Sequence, residues 1–143
     1  MTTPEQNKAS ARRFMEGVLN TKDLDLAEEL IADDLVEHNP FPGFPPDKKG
    51  VLEGFRAMFE AFPDMKTTII DIIAEGDRVV IHSSASGTHK GEFMGIPATG
   101  KKVVDIESID IVRNNADGQA IEHWGVIDQP AMMMQLGVMQ SPA

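Results

Sequence analysis

Apolar residues set the first element: Phe14, Met15, Val18 and Leu19 recur at helical spacing. Upstream, Thr3 can cap that helix, Pro4 suits its first position and Gln6 completes a capping box. Asp23 caps a second, shorter helix through Leu24, Leu26, Ala27, Leu30 and Ile31. Residues 35–39 read as a short strand, closed by Asn39-Pro40 and a proline-rich loop through Pro46. A third helix starts near Asp47. Its apolar stripe is Val51, Phe55, Met58, Phe59 and Phe62, and Phe62-Pro63-Asp64 stops it.

Beyond Pro63 the pattern becomes that of strands. Residues 66–75 and 78–89 flank Gly76-Asp77, a tight hairpin signal. A glycine-rich loop, residues 91–100, leads to strands at 101–113 and 119–127, with a turn at Asp117-Gly118. A helical turn at 131–136 ends at Gly137, a residue suited to a C-cap. Asp128 precedes Gln129-Pro130 and is expected to cap that turn. Helices come first and strands later, which argues against a parallel α/β fold. The expected fold is α+β: a four-strand antiparallel meander curled into a cone, with three helices closing an apolar pocket.

Composition narrows the function classes. The chain has 143 residues, 41% hydrophobic and 25% charged, as one globular domain requires. Thirteen basic against 23 acidic residues give a net charge of −10, which makes nucleic acid and anionic membranes poor partners. The most apolar segment, 69–74, is interrupted by Asp71 and is too short to span a bilayer. The polar N-terminus lacks a signal peptide's apolar stretch. There is no cysteine, which excludes thiolate chemistry and suits a cytoplasmic location. The histidines lack HxxxH or HxH spacing, so no metal site is expected.

Five strings occur in order: Glu37-His38-Asn39-Pro40, Gly87-Thr88-His89-x-Gly91, Gly95-Ile96-Pro97-Ala98-Thr99-Gly100-Lys101, Glu122-His123-Trp124 and Gln135-Leu136-Gly137. Together they resemble the SnoaL-like polyketide cyclases of the nuclear-transport-factor-2-like superfamily. The resemblance implies a cone-shaped domain, a homodimer or higher homo-oligomer, and cofactor-independent chemistry on an apolar ring or ketone. It also implies an acid/base aspartate two residues after the histidine matching His123; that position is Gly125.

Strand alternation puts His123 and Gly125 on one face of the last strand, Glu122 and Trp124 on the other. The resemblance turns the His123 face toward the pocket. With the last hairpin placing Arg113 opposite Ala120, Asp110 lies opposite His123 and Ser108 opposite Gly125. Burial and the carboxylate pull the histidine pKa in opposite directions, which would leave His123 near neutrality as a general base. A structural Asp–His bond fits the same residues. Asn39, where the family often places a pocket amide, is a substrate-binding candidate together with Ser108, Gly125, His82 and Phe59. His38 alternates outward. Two functions follow: a small enzyme doing cyclase, isomerase, hydratase or hydrolase chemistry, or a non-catalytic binding or dimerisation module that lost its aspartate at position 125.

Overall fold

The computed structural model describes residues 2–140. Helix α1 spans Pro4–Arg13 and continues in wider π-type turns through Phe14–Leu19. Its start is the expected capping box: Thr3 Oγ1 accepts from the Gln6 amide at 3.1 Å and Gln6 Oε1 from the Thr3 amide at 2.9 Å. Helix α2, Leu24–Leu30, is capped by Asp23, and α3, Lys48–Ala61, by Asp47. The strands are β1 (Ile31–Glu37), β2 (Lys66–Glu75), β3 (Arg78–Thr88), β4 (Lys102–Asn114) and β5 (Ala120–Ile127), followed by α4 (Gln129–Gln135). Asp128 caps α4 by accepting from the Ala131 amide at 3.2 Å. Among the described residues no helix is long and apolar enough to cross a membrane.

The sheet order is β1-β5-β4-β3-β2. The last four strands form the expected antiparallel meander, but β1 joins as a fifth strand, parallel to β5. The purely antiparallel sheet is thus corrected. Without β1, the backbone edge of β5 would stand open beside the cavity; β1 covers it and brings its own buried side chains, Ile31, Leu35 and Glu37, to the concave side. It also begins four residues earlier than the apolar pattern suggested, with Ile31 leaving α2 for the strand.

Curvature comes from irregularities in β2, β3 and at the end of β4. In β4, Asp105 adopts φ 52. That left-handed residue lets both Val103 and Ile106 turn inward, where they are 5% and 3% exposed. The Ser86 hydroxyl accepts from the Asp105 amide at 3.0 Å and holds the kink. Outside it, the Gln135 side chain accepts from the Val104 amide at 2.6 Å and donates to the Val104 carbonyl at 3.1 Å. That pair docks α4 against the sheet. Helices α1 and α3 cover the concave face without filling it, and a cavity of about 550 Å³ remains between them and the sheet.

Candidate functional site

The concave wall is apolar where β3 and β4 contribute Val79, Ile81, Ala85, Val103, Ile106 and Val112. Polar groups interrupt it at one end, where β1, β4 and β5 meet. There His123 stands between two carboxylates. Its Nδ1 donates to Glu37 Oε2 at 2.7 Å and its Nε2 to Asp110 Oδ1 at 2.8 Å. The Glu37 side chain is 5% exposed, the other two 26% each. Glu37 is held from its other side, since Oε1 accepts from the Asn39 amide at 2.9 Å.

Sequence reasoning brought Asp110 and His123 together by a register that the structure corrects. Arg113 pairs with Glu122, not Ala120, and Asp110 lies opposite Gly125. Asn115 accounts for part of the difference: its side-chain oxygen accepts from the Asp117 and Gln119 amides, at 2.9 and 3.0 Å, and shifts the loop centre by a residue step. A bulge beside Asn114 adds a second step. Two steps restore the original face, so Asp110 and His123 meet as diagonal neighbours rather than opposed ones. Ser108 is correspondingly opposite Ile127, not Gly125, and its hydroxyl bonds that of Ser83 at 3.0 Å.

Asn39 reaches the site. Its Oδ1 accepts from the Gly125 amide at 2.9 Å. Because a backbone N–H can only donate, this contact fixes the orientation of the side-chain amide and leaves its NH2 free at the cavity wall.

Two candidates lie elsewhere. His82 points to the outer face, bonded to Glu107 at 2.8 Å; the inward set of β3 is that of Val79 and Ile81, 0% and 3% exposed. Phe59 does not line the cavity. It packs on Phe55 with ring centroids 6.1 Å apart and lies beneath the Lys22 ammonium, 5.9 Å from its centroid. Phe55, Met58 and Phe62 form the helical wall instead. His38 is on the outside as expected, stacked on Trp124 at 4.6 Å. Glu37 was not among the candidates, although it shares the parity of Leu35 and Asn39, which was a usable signal.

Burial lowers the His123 pKa, but hydrogen bonds and charge from Asp110 and Glu37 outweigh it and raise the pKa to about 9. At neutral pH the ring is therefore an imidazolium with both N–H groups occupied. It has no lone pair with which to take a proton, contrary to the general-base role expected for it. Since the folded pKa exceeds the unfolded value of 6.5, the stabilisation is fully present below about pH 6.5 and lost as pH rises through 9. Urea unfolding across that window should show a stability loss of up to about 3 kcal/mol that is absent in His123→Gln.

Gly125 explains where the missing carboxylate went. A Cβ at position 125 would lie 2.6 Å from Asp110 Oδ1 and 2.9 Å from His123 Cε1. The Asp110 carboxylate thus occupies, from the neighbouring strand, the space into which a residue at 125 would project. Gly125→Ala should cost about 1–3 kcal/mol by forcing the carboxylate off the imidazolium. In an Asp110→Ala background the cost should fall by the share due to the carboxylate, while the contact with the His123 ring remains, a coupling that a double-mutant cycle would measure.

The profile of SnoaL-like polyketide cyclases matches residues 9–136. IdmH from Streptomyces antibioticus, a candidate polyketide cyclase, is 37% identical, with a TM-score of 0.79 over 93% of this chain and 99% of its own. AclR from Streptomyces galilaeus, a candidate hydroxylase, is 27% identical, with a TM-score of 0.83 over 99% of this chain and 87% of its own. An epoxide hydrolase of M. tuberculosis shares the fold, at 18% identity and a TM-score of 0.69 over 93% of this chain and 90% of its own. No curated protein matches the chain. With the family profile covering nearly the whole chain, the protein belongs to the SnoaL-like polyketide cyclase family.

Proposed function

We propose that the protein is a cofactor-independent enzyme that moves a proton at the carbon next to the carbonyl of an apolar cyclic ketone. Asp110 is the acid/base. Its Oδ1 is held by His123, while Oδ2 has no hydrogen-bond partner among the described residues. The observation that carries this reading is that division of labour: the histidine is saturated, and the carboxylate beside it has an oxygen to spare at an apolar cavity.

In the proposed reaction Asp110 Oδ2 takes the α-proton and the C–H electrons pass into the enolate. The free NH2 of Asn39, placed beside Gly125, donates to the enolate oxygen, where charge develops. Return of the proton from Asp110 to the same carbon gives exchange, and its delivery to a conjugated carbon gives isomerisation. In ring closure the enolate carbon bonds to a second carbonyl carbon, the C=O π pair passes to that oxygen, and the alkoxide takes the proton from Asp110. His123 and Glu37 are positioning residues that hold the base. The likeness to IdmH supports the cyclising outcome. A non-catalytic binding module, the other function raised by Gly125, is disfavoured because Asp110 supplies a carboxylate at that place.

The test uses α-tetralone in deuterated buffer, with deuterium incorporation at the α-carbon followed by NMR. The protein should raise the exchange rate above that of buffer. Binding of the ketone without exchange would favour the non-catalytic module.

A further inference from the structure

The inward faces of β3 and β4 form successive rows. Val79 and Val112 make one, Ile81 and Asp110 the next, then Ser83 and Ser108, then Ala85 and Ile106. Beyond Asp110, the serine row is the polar interruption in the aliphatic wall that these rows of β3 and β4 build. Ser83 is 1% exposed, and both residues line the cavity.

Their hydroxyls bond each other at 3.0 Å. Each hydroxyl has one proton to donate, and the pair can consume only one of the two. Neither oxygen has another hydrogen bond among the described residues. One proton and several lone pairs are thus directed nowhere within the protein, at a place where alanine or valine would pack without that cost.

We infer that Ser83 and Ser108 form a second polar subsite, which takes a carbonyl or hydroxyl oxygen carried by the substrate one ring away from the reacting carbonyl. The distance follows from the strand. Ser108 precedes Asp110 by two residues on the same face, a separation of about 7 Å along β4. That spacing matches oxygen functions at opposite ends of a fused bicyclic ketone and excludes oxygens on adjacent carbons. A hydroxyl pair both donates and accepts, so phenol and ketone oxygens fit equally. The ligand therefore lies along β4, with its enolisable end at Asp110 and its second oxygen at the serine pair. The inference rests on the ketone reading proposed above.

The experiment compares two probes by calorimetric titration: α-tetralone, and the same ketone carrying a hydroxyl para to its carbonyl. The wild-type protein should bind the hydroxylated ketone about ten-fold more tightly, the worth of one net hydrogen bond. In Ser83→Ala/Ser108→Ala that preference should disappear while affinity for α-tetralone is kept. Removing both partners of a bond is close to neutral for folding, and circular dichroism checks this. Equal affinities in the wild-type protein, or a preference that survives in the double variant, would overturn the subsite while leaving the ketone reading intact. Failure of both ketones to bind would overturn both.

Discussion

Asp110→Asn is expected to slow α-proton exchange of the bound ketone by about a hundred- to ten-thousand-fold, the usual worth of a general base. Asparagine keeps the shape of the side chain and an oxygen to accept from His123 Nε2, so the contact seen at 2.8 Å can persist. What it loses is the carboxylate. The loss should fall on the exchange rate, with ketone affinity nearly unchanged, because the apolar wall that binds the rings is untouched. Exchange kinetics beside calorimetric binding separate the two effects. A wild-type rate in Asp110→Asn would remove Asp110 from the reaction.

His123→Ala carries the largest expected cost to stability, about 3–5 kcal/mol. The reason lies in Glu37, whose side chain is 5% exposed and which would keep only the Asn39 amide as a partner. Asp110 would lose its anchor as well. The cost should be greatest near pH 6, where the imidazolium is fully formed in the wild type, and should shrink above pH 9, where that charge is gone. Chemical unfolding of both proteins at pH 6 and above 9 checks this. A difference that does not change with pH would assign the cost to packing rather than to the ion pairs.

Local chemistry made most of the elements legible. The capping box at Thr3, the caps at Asp23, Asp47 and Asp128, and the Gly76-Asp77 hairpin are each decided by side chains within a few residues of the backbone they serve. The neighbour of β5 is decided by no local signal. Its partner β1 lies more than eighty residues away in the sequence, and nothing in residues 31–37 announces a parallel pairing. Register was the second loss. The Asn115 side chain and the bulge near Asn114 each displaced the pairing by one step, and the Asp110–His123 contact remained only because two steps return a strand to the same face. His82 and Phe59 show the limit of face-reading where the pattern is permissive. Small polar residues follow His82 on both faces, and Phe55 and Phe59 share one helical stripe although only Phe55 reaches the cavity. Glu37 was legible by parity with Leu35 and Asn39. Its role, however, exists only through β5, which supplies the histidine.

The measurement that bears most directly on the central claim is the 15N NMR titration of the His123 ring. With Asp110 as the base and His123 as its holder, both ring nitrogens should be protonated at pH 7 and should titrate together near 9. An unprotonated ring nitrogen at pH 7, with a midpoint at or below 6.5, would contradict the account and return the role of base to His123.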